Sequence, residues 1–515
     1  MRKRMCILLS ILLLFGLCSG CQSENAPYTP TGAGLTWDED YTGPVNRPET
    51  EESNQELKLT YYPDRSMNPY SCTDFTNRAL FTLLYQSLFA VDRSYNVEPQ
   101  LCKNYRVSED MKTYTFYIDK ATFADGAALT VDDVAASLLA AKDSVYYSGR
   151  FTHITGITAA DGGVTVTLDT PMENLPLLLD IPILKQTELL LDTPMGTGPY
   201  YLDASTQNPI LRKNSNWWCD TQLIVTAPAI ALMPARSIAG IRDAFEFEGL
   251  SLVCADPGSD RYADYRCDYE LWDCESGIFL YLSCNMESEV FSKPEVRSAL
   301  TFAIDRDTLA ADFYRGFARS VSLPMSPQSP YYSNNLASKY AYDGGEKFTQ
   351  AVQDASKSNA EIILLVNKDD SLRLRVARQI AEMLKACGLK VTMSEKSTSA
   401  CQSALKKKEF DLYLGQTKLS PNMDLSEFFS GKGSLSYGGI SDVALTTLCT
   451  ESLANQGNYY TLCKSVMDDG RLCPILFRSY AVYATRGLLT GLTPARDSVF
   501  FYSLGRSMEN ALIKE

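Results

Sequence analysis

The sequence predicts an α/β protein built from two or more packed units, and three observations lead to that class. Residues 360–414 alternate short apolar runs with amphipathic segments, the rhythm of a βαβ unit with a parallel sheet. Residues 57–62, 113–118 and 164–168 are instead short β-branched and aromatic runs that read as strands. The chain has 515 residues, far beyond the size at which one hydrophobic core stops growing.

The first 20 residues read as a signal peptide. Arg2, Lys3 and Arg4 form a charged start, and residues 6–17 form an apolar run too short to span a bilayer, which needs roughly 20 apolar residues. Small residues Ser19 and Gly20 precede Cys21, in the manner of a lipobox. Cleavage there leaves Cys21 as the first mature residue, carrying lipid. Cys18 departs from the usual pattern, which has Leu at that place. Residues 21–56 are rich in Pro, Gly, Thr, Asn and acids, and read as a flexible tether. No second apolar stretch approaches membrane-spanning length, so the expected location is extracytoplasmic, anchored to the bacterial cell membrane through the lipid.

Charge narrows the partners. Loss of the three basic residues of the signal leaves 45 basic against 62 acidic residues, a formal −17. An acidic body disfavours nucleic acid, whose affinity comes from neutralised phosphates. Of fifteen cysteines, twelve follow Cys21, and these contain no C-x-x-C pair that would mark a zinc ribbon or thioredoxin-like site. Cys267, Cys274 and Cys284 lie close enough in sequence to include a disulfide; buried free thiols are the equal alternative.

The elements follow in order. Residues 57–62 (LKLTYY) alternate as a strand, and residues 74–89 place Phe75, Ala79, Leu80, Leu83, Leu84 and Leu88 at helical spacing. Residues 113–118 form a strand. Thr130 precedes Asp133 by three, a capping-box pattern that opens a helix running to about Lys142. Residues 164–168 form a strand after Asp161-Gly162-Gly163. In the second half, strands are predicted at 362–366, 389–393 and 410–414. Between them lie helices at 372–387, stopped by Gly388, and one ending near Lys408.

Several short segments, in order, resemble the extracytoplasmic solute-binding proteins, family 5, of peptide, nickel and related ABC importers. They begin with Tyr85-Gln86-Ser87-Leu88-Phe89 and Pro99-Gln100-Leu101, then run from Ser108 to Phe116 and from Phe123 to Gly126. The most specific is Leu129-Thr130-Val131-Asp132-Asp133-Val134 with Ser137. Gly196-Thr197-Gly198-Pro199-Tyr200 and Asn214 to Trp218 follow. Asn285, Val296 to Leu300, Ala303-Ile304-Asp305-Arg306, Gly316 and Ala318 complete the set. Most of these residues read as scaffold. Asp125-Gly126 forms a turn, and Arg297 and Asp305 pair or cap locally.

The resemblance implies a two-lobed periplasmic-binding-protein clamp, class II-like, with the extra subdomain of the oligopeptide-binding family. Lobe one comprises residues 57–273 plus 481–515, with the extra subdomain at about 75–194, and lobe two comprises residues 274–480. It implies a monomeric carrier that closes on a small solute, by default an oligopeptide, and delivers it to an ABC permease and its ATPase. No catalysis and no cofactor are implied. Peptide-binding relatives place an aspartate just after the strand that ends here near Leu414. This chain instead offers Gln416, Lys418 and Ser420 there, with Asp424 as the first carboxylate. A peptide's amino terminus buried without a counter-charge is costly, so the missing acid argues against the standard N-terminal recognition; Lys418 instead favours a carboxylate or phosphate, or else is an exposed loop lysine. Phe75, Tyr146 and Tyr147 are further cleft candidates, as aromatics that add contact area at small entropic cost; with 30 tyrosines in the chain, core packing reads as well.

Two other classes remain at this point. A lipid-anchored hydrolase of the Ser-His-Asp or Cys-His type would depend on His153, the single histidine, with no G-x-S-x-G elbow in support. A carboxylate-pair glycosidase is open on composition alone. A receptor or signalling derivative of the same fold, without transport, is the third class. A lone histidine also gives little basis for a metal site.

Overall fold

Two unusually long antiparallel strands, Tyr269–Cys284 and Leu472–Thr485, run beside each other and organise the molecule. The computed structural model describes residues 56–205, 208–219, 221–259 and 265–513. The expected signal peptide, Cys21 and the tether up to residue 55 lie outside the described residues.

The long strands sit in a seven-stranded sheet. Leu252–Ala255 flanks one end of Leu472–Thr485, and Ala318–Ser320 pairs farther along it. On the other side Tyr269–Cys284 pairs with Leu412–Lys418, followed by Glu361–Asn367 and Lys390–Lys396. The predicted βαβ rhythm is present, with helices Ser371–Ala386 and Thr398–Lys407 between those strands. Parallel pairing is confined to these three strands, and the rest of the sheet is antiparallel. The expectation of a parallel sheet is corrected to a mixed one, because the two long strands fill its centre.

A second sheet holds Lys58–Tyr61, Ala229–Pro234, Ile210–Lys213 and Tyr200–Asp203 in that order. A third, wholly antiparallel, holds Cys102–Val107, Thr113–Ile118, Gly163–Leu168 and Ile154–Ala160. Helix Val131–Lys142 packs on this third sheet through Val134, Leu138 and Ala141. Its start carries the predicted capping box: Thr130 Oγ1 accepts from Asp133 N at 3.2 Å, and Asp133 Oδ2 accepts from Thr130 N at 2.9 Å.

One apolar core joins residues from Leu57 to Leu232 with Leu252, Cys274, Leu453, Val482, Ala484 and the C-terminal Leu489, Leu492, Val499 and Phe500. Another lies wholly between Leu280 and Leu476. Separate cores joined by the paired long strands make a two-lobed clamp of mixed α/β structure.

The predicted helix over 74–89 is corrected. It is two short turns, Phe75–Arg78 and Phe81–Leu84, after which Tyr85 is extended and Phe89–Val91 forms a strand. The Leu84 carbonyl accepts from Gly198 N at 3.0 Å instead of continuing a helix. Gly196 and Gly198 permit this approach, since a Cβ on either would meet the Leu84 backbone at 2.3–2.4 Å. Asp305 caps helix Arg306–Tyr314 through Thr308 N at 3.1 Å. Arg297 does not pair with it, and donates to Phe291 O and Ser292 O. Cys267, Cys274 and Cys284 form no disulfide; all twelve cysteines of the described residues are free thiols, nine of them buried.

Candidate functional site

The site begins where the two long strands fall out of step. Their register shifts between Glu275 and Phe279, and Gly277 adopts φ +68° in the irregular turn. A side chain is excluded there: a Cβ on Gly277 would lie 2.2 Å from Arg496 Nη2. The guanidinium of Arg496 therefore lies directly over the backbone of the bulge, and it donates to the Leu419 carbonyl.

Strand Leu412–Lys418 ends beside the same bulge, with Lys418 opposite Ile278. Lys418 Nζ donates to Ser276 O at 2.6 Å, to Asp497 Oδ2 at 2.5 Å and to Tyr146 Oη at 3.0 Å. It also lies 4.3 Å from the Tyr146 ring centroid. Burial lowers the Lys418 ammonium to about 7, a fall that Asp497 resists and Arg496 reinforces. For Asp497, burial works upward, and Lys418, Arg496 and Arg78 outweigh it to hold the carboxyl below its ordinary range.

These groups adjoin a cavity with Arg78, Arg150, Arg496, Asp180, Asp497 and Tyr146 in its wall. Asp74 caps the turn carrying Arg78 by accepting from Thr76 N at 2.9 Å. Arg78 is buried, donates to Pro69 O, Cys72 O and Tyr147 Oη at 2.9–3.1 Å, and lies over the Tyr146 ring at 3.1 Å. Arg150, also buried, pairs with Asp180 and donates to Leu178 O at 3.2 Å. Burial, with Arg496 adding to it, pulls the Arg150 guanidinium down to about 10.

The predicted residues divide. Tyr146 and Tyr147 line the cavity, and Lys418 stands behind Tyr146 and Asp497. Lys418 is neither in an exposed loop nor unpaired, because the C-terminal segment supplies Asp497 as its carboxylate. Ser420 is not among the lining residues, and its Oγ donates to Gly149 O at 2.9 Å. Phe75 does not line the cavity; its ring stacks on Tyr480 at 3.7 Å. Gln416 accepts from Arg478 Nη1 at 3.1 Å, away from the lining residues. Sequence reasoning missed Arg78, Arg150, Asp180, Arg496 and Asp497. Arg78 carried a usable signal, a charge set within the apolar face of Phe75, Ala79 and Leu80. The adjacent Arg496 and Asp497 carried none, since they meet Lys418 only through the fold.

A separate bridge ties distant segments together. His153 Nδ1 lies 3.0 Å from Asp169 Oδ1, and Nε2 lies 3.2 Å from Asp424 Oδ2. Burial alone would lower the imidazole, and the carboxylates of Asp424 and Asp169 override it, raising it to about 9. The same face is joined by Glu173 N donating to Leu453 O at 2.8 Å and Gln456 N to Glu173 Oε2 at 3.1 Å. Among the described residues no three His, Cys, Asp or Glu side chains are grouped to hold a metal, and no helix is long and apolar enough to cross a membrane.

Two cores, two connecting strands and a charged cavity between converging segments define a clamp-type binding protein. The pattern of the bacterial extracellular solute-binding proteins, family 5, matches residues 96–436, and the chain belongs to that family. It is a solute-binding protein of the type that serves ABC importers. The glutathione-binding protein GsiB of Escherichia coli O6:K15:H31 is 24% identical over 350 residues, covering 62% of this chain and 67% of GsiB. The fold is also that of a peptide-binding protein AppA from Clostridium difficile, so described with its own function unproven (TM-score 0.71, 15% identity, 88% of this chain and 99% of that one). NikZ from Campylobacter jejuni, solved with Ni(L-His), is similar as well (TM-score 0.61, 17% identity, 88% and 98%).

Proposed function

We propose that this chain captures a small peptide-like solute between its lobes and delivers it to a membrane permease driven by an ATPase. In this reading Cys21 carries the lipid, residues 22–56 form the leash, and the protein works as a monomer outside the cytoplasm. Lobe one is residues 57–273 plus 481–515, with its extra subdomain at about 75–194, and lobe two is residues 274–480. Those boundaries fall within the two long strands, at Asp273↔Ala481 and Cys274↔Tyr480. The bulge at Gly277, immediately beyond, is the natural place for the strands to flex.

The observation that carries this reading is the meeting of three distant segments at one cavity. Tyr146 comes from the subdomain, Lys418 from lobe two and Asp497 from the C-terminal segment, and Lys418 Nζ touches both of the others. A ligand held against Tyr146 and Asp497, with Lys418 fixing both from behind, would bind the closed clamp far better than an open one. Peptide as the default solute draws support from the relatives named for glutathione and for peptides. Uptake of labelled glutathione and labelled di- and tripeptides, in cells with and without the gene, tests transport. Equal uptake of every solute in both strains would count against delivery. A Cys21→Ala variant recovered in the soluble fraction, where the wild type partitions with membranes, tests the anchor.

A further inference from the structure

Within the proposed solute site, on whose existence this inference rests, the charges do not balance. Asp180 is taken by Arg150, and Asp497 Oδ2 is taken by Lys418. Arg78 and Arg496 are left facing the same cavity, each about 5% exposed, and neither pairs with a carboxylate among the described residues. Arg496 Nε, Arg496 Nη1 and Arg78 Nε have no hydrogen-bond partner at all. One more atom of the cavity wall shares that condition, Asp497 Oδ1.

Buried groups of this kind are normally satisfied, and an unpaired buried guanidinium is among the costlier exceptions. The side chains that carry these atoms line one cavity, and they are of both kinds: cationic donors on Arg78 and Arg496, and a carboxylate acceptor on Asp497. We propose that the cavity takes a small acidic amino acid or short acidic peptide, whose carboxylates meet Arg496 and Arg78 and whose N–H group donates to Asp497 Oδ1. The ligand's net negative charge supplies what the wall lacks. Its N–H group separates it from a simple anion such as phosphate, which has nothing to offer Asp497. Gly277 belongs to the site as the residue that lets Arg496 lie across the bulge.

Titration calorimetry on the full mature chain in detergent, with glutamate, Glu-Glu, Ala-Ala, Lys-Lys and inorganic phosphate as probes, tests the assignment. Glutamate or Glu-Glu is expected to bind at least about tenfold more tightly than Ala-Ala, and Lys-Lys and phosphate not measurably. The glutamate and Glu-Glu arms tell the free amino acid from the peptide. Arg496→Gln should weaken the better acidic probe at least about tenfold, and by more than it weakens Ala-Ala. A purely scaffolding arginine would weaken every probe alike. Should Arg496→Gln fail to fold, the wild-type order of the five probes decides. Ala-Ala, Lys-Lys or phosphate binding as well as Glu-Glu overturns the charge assignment and leaves solute capture standing. Failure of these probes and of a wider panel of sugars, neutral peptides and metal chelates overturns both.

Discussion

His153 is the only histidine in the chain, so its titration can be watched without ambiguity. It bridges Asp169, at the end of the third sheet, to Asp424, beyond the strand that carries Lys418. The folded protein holds the imidazole at about 9 against 6.5 for the free side chain. A group raised on folding contributes its full stabilisation below its unfolded value, loses it as pH climbs from 6.5 to 9, and contributes nothing above. At about 1.36 kcal/mol per pH unit the ceiling is about 3.4 kcal/mol. Asp169 is 54% exposed, and solvent screens its share, so about 2 kcal/mol is the better figure. Two assays follow, both on protein prepared without a histidine tag. The Cε1 proton resonance of the one imidazole should titrate near 9. The difference in urea-unfolding free energy between wild type and His153→Gln should be about 2 kcal/mol below pH 6.5 and fall away between pH 6.5 and 9. A resonance midpoint at or below 6.5, or a difference that ignores pH, refutes the ion-pair account.

Other outcomes follow from the same geometry. Asp497→Asn should destabilise more than Lys418→Met in urea, by about 1 kcal/mol or more. Loss of the carboxylate leaves Lys418, Arg496 and Arg78 facing one another, whereas loss of the lysine leaves Asp497 with two guanidiniums near it; the reverse order contradicts this balance. Gly277→Ala should cost about 2 kcal/mol, from a positive φ and displacement of Arg496, and an unchanged urea midpoint would refute the close approach. With no reductant present, the denatured mature chain should show the twelve thiols of the described residues to an aromatic disulfide reagent, and a shortfall by a pair would reveal a disulfide.

Much of the scaffold was legible because it is local. Thr130 and Asp133 announce their helix by reciprocal capping, and Thr113–Ile118 alternates through a sheet that buries Tyr114 and Phe116. The helix expected over 74–89 failed because its fate is decided by Gly196 and Gly198, more than a hundred residues later. The site was less legible for the same reason. Lys418 reads as an unpaired lysine until the C-terminal segment brings Asp497 to it. Phe75 has the right chemistry for a cleft, yet Tyr480 takes its ring. Arg496 acquires meaning only from a bulge in a strand about two hundred residues earlier.

The central claim, that the clamp closes on a small acidic solute, is tested most directly by the melting temperature of the mature protein against ligand concentration. A solute bound only by the folded state stabilises it in proportion to the logarithm of concentration, about 2.7 kcal/mol at a hundredfold excess over Kd. Glutamate or Glu-Glu should raise the melting temperature steadily in this way, and Lys-Lys should leave it unchanged. A flat melting temperature for both acidic probes would contradict the account.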